Sequence, residues 1–233
     1  MREIVLDTET TGLDPEQGHK IIEIGGVELL NHIPSGKTLQ LYINPERDIP
    51  PESTAVHGIT NEFVRDKPVF SQIYSLFLDF IGEDGKLVIH NAEFDMKFLN
   101  WELKQVGHSV LPWSRALDTA ALARKKFPGS PVNLDALCRR FGIDNSNRTF
   151  HGALLDSELL AEVYLELLGG RQHGLELSPE IAESLEKTSA MPVARKAPRK
   201  ARIREASAEE IAAHEEMLAE LVNPLWKQKE SSG

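Results

Sequence analysis

The chain has 233 residues, 41% hydrophobic and 27% charged, enough for one folded domain and a remainder, which excludes a wholly disordered, collagen-like or disulfide-stapled protein. Its net charge of −10 argues by itself against a nucleic-acid partner, because phosphate binding normally shows as a basic surplus. No run of roughly 18 apolar residues occurs and no charged-then-apolar leader opens the sequence, so the expectation is a cytoplasmic protein with no membrane partner.

In chain order, residues 3–10, 21–30 and 37–44 read as three strands joined by short turns, an antiparallel meander. Helical spacing then predicts a helix over 69–81, a short apolar strand over 86–90, and helices over 92–106, 116–126, 134–141 and 152–168. Three strands followed by alternating helix and strand indicate an α/β fold, a mixed sheet flanked by helices. The sole cysteine, Cys138, falls in the 134–141 helix and reads as a small apolar core residue in a reducing compartment, with a reactive thiol as the alternative.

Charge divides the chain into three zones. Residues 1–186 carry 17 Lys/Arg against 29 Asp/Glu, residues 187–204 carry seven and no acid, and residues 205–233 carry two against seven. The middle zone holds Pro192 and Pro198 among Ala, Lys and Arg without a helical or strand period, and reads as a flexible linker. Order resumes at Ser207-Ala-Glu-Glu210, a capping box followed by Ile211, His214, Leu218, Leu221 and Val222 at helical spacing until Pro224. An amphipathic helix of that length is marginal alone, so its apolar face needs another surface, on its own domain or on a partner.

The acids carry the chemistry. The first strand runs from Ile4-Val-Leu6 into Asp7-Thr-Glu9, and residues two apart on a strand share a face, so both carboxylates point together. Like charges that close need a cation or a shared proton, unless both are simply solvated. Asp95 falls in the first turn of the 92–106 helix, where the helix dipole alone would favour an acid. Asp156 precedes Leu160, Val163 and Leu167 on a core-facing stripe, and no Lys or Arg between residues 150 and 170 pairs it locally, so a metal ion is the expected partner. Four oxygen-bearing acids without a cysteine cluster suit a hard divalent ion, Mg2+ or Mn2+, and two such ions would serve phosphoryl displacement. Cations bridging carboxylates to a phosphodiester also remove the objection raised by the net charge. His151, just before the helix carrying Asp156, meets a dipole end that favours the neutral, proton-accepting ring, and is the candidate general base. His19, His32, His108 and His214 are expected to be surface or structural, and Asp118 a helix cap.

With Asp7-x-Glu9, Asp95 and His151-x4-Asp156 in that order, residues 2 to about 170 resemble the DEDDh family of 3′ to 5′ exonucleases, whose fold is a ribonuclease-H-like mixed sheet of five strands. Asp7-Thr-Glu-Thr-Thr-Gly12, Val56-His-Gly-Ile59, His90-Asn-Ala-Glu-Phe-Asp95 and Arg148-Thr-Phe-His-Gly-Ala-Leu-Leu-Asp156 are similar, within that family, to the proofreading subunits of bacterial replicative polymerases. The resemblance implies that Asp7, Glu9 and Asp156 ligate one metal, that Asp7 bridges to a second, that Asp95 supports the second through water, and that His151 deprotonates the attacking water. It places Glu52 and His57 beside the terminal nucleotide of a single-stranded or frayed DNA 3′ end. Gly12 at the strand exit and Phe94 on the helix are softer candidates for approach to the nucleotide, against a plain turn and a core aromatic.

Gly169-Gly170-Arg-Gln172-His-Gly-Leu175-Glu-Leu177 resembles a sliding-clamp-binding peptide through Gln172, Leu175 and Leu177, with Leu177 where an aromatic is more usual. In the family the C-terminal segment attaches to the polymerase alpha subunit, which here assigns the helix from Ser207 with Leu225 and Trp226 beyond it. The domain reading is an exonuclease domain over 1–170, a linker over 171–206 with the clamp peptide at 172–177, and a polymerase-binding segment over 207–233. The rival readings are a stand-alone RNA-trimming exonuclease and a catalytically silent assembly subunit.

Overall fold

The computed structural model describes residues 1–170 and 206–220. The candidate clamp peptide at Gln172, Leu175 and Leu177, the 187–204 zone, and Leu221, Val222, Leu225 and Trp226 lie outside the described residues. The chain divides into two units, Met1–Glu176 and Leu177–Gly233.

The first unit is built on a five-stranded mixed sheet, with strands β1 (Arg2–Thr10), β2 (Ile21–Leu30), β3 (Ile33–Tyr42), β4 (Lys86–Ile89) and β5 (Ala116–Asp118) in the order β3-β2-β1-β4-β5. The first three form the antiparallel meander, and β4 and β5 continue it in parallel beyond β1. Its helices are α1 (Pro51–His57), α2 (Asn61–Val64), α3 (Phe70–Ile81), α4 (Ala92–Gln105), α5 (Thr119–Lys126), α6 (Leu134–Phe141) and α7 (Ala153–Leu167).

Alternation along β1 creates two cores. Ile4 and Leu6 join Phe77 of α3 and Met96, Phe98 and Leu99 of α4 on one face, while Val5 joins Leu137 and Cys138 of α6 and Leu160, Val163 and Leu167 of α7 on the other. As the central strand, β1 is thus apolar on both sides from Ile4 to Leu6. The parallel pairing of β1 with β4 aligns Leu6 with Ile89, so both strands end at the same edge, where α4 and α7 begin. That edge is where chemistry accumulates in open sheets of this kind.

Three sequence expectations need correction. The segment 116–126 is not one helix: Ala116–Asp118 is the fifth strand, parallel to β4, and the helix starts at Thr119. Too short to show alternation, it is recognisable only through its neighbour. The third strand starts at Ile33 and ends at Tyr42, because a two-residue turn with Asn31 and His32 at φ 51 and 67 closes the hairpin early. Finally, the loop after Tyr42 contains α1 and α2, whose seven and four residues are too few for a helical period to be read.

Helix α7 lies unusually close to the sheet. A Cβ on Gly25 of β2 would stand 2.1 Å from the Ala153 carbonyl carbon, so only glycine admits this contact. Ser157 Oγ donates to the Gly25 carbonyl at 3.2 Å, and the Glu23 carboxylate accepts from the Ala153 N–H at 3.2 Å, capping a helix whose own N-cap residue, Gly152, has no side chain. In the second unit, α8 (Ala208–Glu220) opens with the capping box: Glu210 N–H donates to Ser207 Oγ at 3.2 Å, and Ser207 N–H to Glu210 Oε2 at 2.8 Å. Ile211 and Met217 on α8 are about half exposed. Among the described residues no helix is long and apolar enough to cross a membrane.

Candidate active site

Asp7, Glu9, Asp95, Asp156 and His151 line one cavity of about 250 Å3, together with Thr8, His90, Phe94, Asp135 and Arg148. Asp7 and Glu9 leave the end of β1 on one face, as strand periodicity requires. Asp95 in the first turn of α4 is 2% exposed, and Thr8 Oγ1 donates to its Oδ1 at 2.7 Å. Asp156 in the first turn of α7 is 4% exposed. One ligand atom each from Glu9, His151 and Asp156 lies within 4.8 Å of the others.

Burial first, then the nearby Asp95, Glu9 and Asp156, raises the Asp7 carboxyl well above its ordinary range. Glu9 is pushed up to about 8 by burial and by Asp156, Glu23 and Asp95. Burial, only partly offset by the Thr8 hydrogen bond, takes Asp95 to about 7. A cation joining these three carboxyls would relieve the burial and repulsion that disfavour their charged forms. An all-oxygen acidic set under that strain fits a hard divalent ion.

Asp156 behaves differently, and here the sequence argument is overturned. The residue is not without a local partner: Arg148, two positions before the stretch surveyed, folds back from the loop preceding α7. Its Nε donates to Asp156 Oδ1 at 2.5 Å and its Nη2 to Oδ2 at 2.6 Å, a bidentate fork. Burial raises the Asp156 carboxyl, but the Arg148 fork outweighs it and holds the group below its usual range. Arg148 Nη1 also donates to Asp135 Oδ1 at 2.8 Å, and Nη2 lies 2.7 Å from His151 Nδ1. An arginine eight residues before an acid signals no contact by itself; the turn over 145–148 creates it.

Of the substrate candidates, Glu52 is exposed on α1 and lines a second cavity of about 470 Å3 with Thr11, Gly12, Leu13 and His19. His57 is buried; its Nδ1 accepts from the Ile59 N–H at 3.0 Å, and burial followed by the nearby His151 lowers its pKa. Phe94 takes both suggested positions at once, packing against Phe98 at 5.0 Å between ring centroids while lining the first cavity. A Cβ on Gly12 would meet the His19 ring at 2.3 Å, so glycine leaves room for that ring. Asp118 caps α5 through the Ala120 N–H at 2.8 Å, and also accepts from the Asn91 N–H at 3.0 Å, tying down the loop that delivers Asp95. Cys138 is fully buried and its thiol is pushed up to about 11 by burial, which keeps it inert. His19, His32 and His108 have neighbours of their own, Thr11, Glu3 and the Ser109 carbonyl. Glu23, Arg148 and His90 were not foreseen. Glu23 reaches the site through its register opposite Glu9, and His90 Nδ1 lies 2.9 Å from Thr119 Oγ1.

A mixed sheet with a cluster of carboxylates and a histidine where its central strand ends defines a nuclease of the ribonuclease-H-like kind. The family model described as Exonuclease matches residues 4–164. The DNA polymerase III subunit epsilon of Rickettsia conorii is 56% identical over 180 residues, covering 76% of this chain and 78% of that one. That of Escherichia coli is 44% identical over 225 residues, covering 93% and 92%. Among solved structures, the nuclease domain of 3′hExo, a DEDDh family member, superposes with a TM-score of 0.62 at 24% identity over 72% of this chain and 91% of that one, a likeness of fold. The chain belongs to the exonuclease family and, within it, to the epsilon subunits of DNA polymerase III. It is therefore a nuclease with a proofreading role, and neither the stand-alone RNA-trimming reading nor the silent-subunit reading is favoured.

Proposed function

We propose that the chain removes mispaired nucleotides from a single-stranded or frayed DNA 3′ end, releasing nucleoside 5′-monophosphates. The observation that carries this reading is the convergence of Asp7, Glu9, Asp95, Asp156 and His151 on one cavity. Asp7, Glu9 and Asp156 would hold one divalent ion, Mg2+ or Mn2+, and Asp7 with Asp95 the second. Such ions supply positive charge to the attacking and leaving oxygens and acidify water. His151, half exposed to the cavity, takes the proton of the water that attacks phosphorus. The bond from phosphorus to the 3′ oxygen of the preceding nucleotide breaks, leaving a shortened strand with a 3′-hydroxyl. Glu52 and His57 contact the terminal nucleotide from the side of α1.

The domain over 1–170 performs this chemistry. The segment over 207–233, through α8, carries the attachment to the DNA polymerase III alpha subunit; the 171–206 linker carries Gln172, Leu175 and Leu177 to the sliding clamp. Ile211 and Leu218, seven residues apart on a capped helix, share a face for such an attachment, with Met217 beside them. The site of action is the cytoplasm, where the primer terminus lies.

The test is the purified full chain with Mg2+ or Mn2+ on a DNA duplex with a mismatched 3′ terminus. Shortening from the 3′ end with monophosphate release is expected, faster than on a matched end. Failure to shorten the strand, or full activity in Asp7→Ala, overturns the reading.

A further inference from the structure

The proposed reaction gives no role to Arg148, although its side chain is 7% exposed in an acidic cavity. Among the described residues lining that cavity it is the one Lys or Arg, facing Asp7, Glu9, Asp95, Asp135 and Asp156. Its fork occupies both oxygens of Asp156, at 2.5 and 2.6 Å. The same Nη2 stands 2.7 Å from His151 Nδ1 and, as the donor of that pair, engages the ring's lone pair. One guanidinium therefore occupies an oxygen pair proposed to bind metal and a nitrogen of the proposed base. Its remaining nitrogen, Nη1, is anchored 2.8 Å from Asp135 Oδ1, and Asp135 is itself held by Asn145 Nδ2 at 2.9 Å.

We infer that Arg148 is a resident counter-cation that exchanges partners: it neutralises Asp156 in the metal-free protein, yields that carboxylate to an incoming divalent ion, and turns its freed fork to the phosphate of the bound nucleotide while Asp135 retains Nη1. This inference rests on the metal reading above. The physical reasons are two. A guanidinium and a divalent ion cannot share the same two carboxylate oxygens, so each must weaken the other's hold on Asp156. A buried guanidinium whose Nε and Nη2 donors lose their acceptor needs another anion, and two oxygens of a phosphate accept the same bidentate fork. Asp135 acts as the hinge, because its bond to Nη1 does not depend on Asp156. Until the exchange, neither Asp156 nor His151 Nδ1 is free to act. Arg148 is on this account a positioning residue in the metal-free protein and a phosphate ligand afterwards.

The inference requires effects of opposite sign from one substitution. In full-length Arg148→Gln, the affinity for Mn2+, measured by calorimetry or by the free-Mn2+ paramagnetic resonance signal, should tighten by about tenfold, the order expected for losing a charge-assisted competitor. Binding of dTMP in the presence of saturating Mn2+ should weaken by about the same factor. A purely structural role would weaken both, and that result, or an unchanged Mn2+ affinity, overturns the inference. Arg148→Lys keeps the charge without the fork; should Arg148→Gln not fold, it carries the test, with the same two signs at smaller magnitude. In the wild-type chain, the Arg148 Nε–H resonance should shift on adding Mg2+ and again on adding dTMP; a resonance that ignores both overturns the exchange. Wild-type protein that binds no Mn2+ at all refutes the metal reading itself, which separates the two failures.

Discussion

At the scale of single residues, position decides what each acid does. Asp7 and Glu9 are raised by burial and by neighbouring acids and Asp95 by burial, whereas Asp156 is lowered by a bidentate arginine, although all four line one cavity. His151 is assigned proton transfer, and general bases contribute roughly 10²–10⁴-fold. His151→Ala should therefore reduce kcat by about that range with Mn2+ affinity little changed; a large loss of Mn2+ binding would make the residue a ligand instead. A different buried acid serves stability. Glu3 is fully buried at the far end of β1, and Tyr164 Oη donates to its Oε1 at 2.7 Å while His32 Nδ1 lies 2.7 Å from Oε2. Tyr164→Phe removes a donor from a buried carboxylate and should cost about 1–3 kcal/mol in denaturant unfolding, with nuclease activity retained.

At the scale of elements, the site is where strand ends meet helix starts. Gly25 of β2 lets α7 descend onto the sheet, so that Asp156 in its first turn reaches the carboxylates of β1. Gly25→Ala would force a Cβ against the Ala153 backbone, which cannot yield as a flexible side chain would. Overpacking of this kind costs about 1–3 kcal/mol, and the displacement of α7 should lower exonuclease activity even where the protein remains folded; a fully active Gly25→Ala would remove the close approach from the account of the site. The short strand β5 has a comparable function, since Asp118 at its end caps α5 and holds Asn91, the left-handed residue that starts α4 and thereby orients Asp95. Along the chain its three residues merge with a helix because no pattern that short identifies a strand; pairing with Leu87, Val88 and Ile89 of β4 does.

At the scale of the whole molecule, the acidic cluster sets the pH response. Glu9 near 8 and Asp95 near 7 lie above their ordinary values, so the metal-free folded state binds more protons than the unfolded chain in that range. Its stability must then fall as pH rises toward 8, the reverse of the behaviour of a salt-bridged carboxylate. Buried His57 and His90, lowered from 6.5, act oppositely below that value and no longer contribute above it. The melting temperature of metal-free protein should thus decline between about pH 6.5 and 8. Mg2+ or Mn2+ should flatten or reverse the decline, because a cation holds the carboxylates ionised; a metal-independent profile would contradict the metal-binding cluster. The same scale governs assembly. The two apolar cores lie within residues 4–167, so truncation after residue 186 should leave nuclease activity on short DNA intact while abolishing co-purification with the polymerase alpha subunit; co-purification of the truncated chain would refute the tail assignment.

The amino-acid sequence by itself determined the meander and the bounds of most helices to within a residue or two, and singled out the four acids and the histidine that line one cavity, because each lies where a strand or helix period visibly begins or ends. Charge zones along the chain, and the capping box at Ser207, were likewise legible, being local properties of consecutive residues. Only the tertiary structure decided who neutralises Asp156, who caps α7, and which strand the fifth one pairs with. Arg148, Glu23 and Ala116–Asp118 act through partners 8, 130 and about 30 residues away, respectively. Contacts of that kind follow from register and loop closure, which no periodicity along the chain encodes.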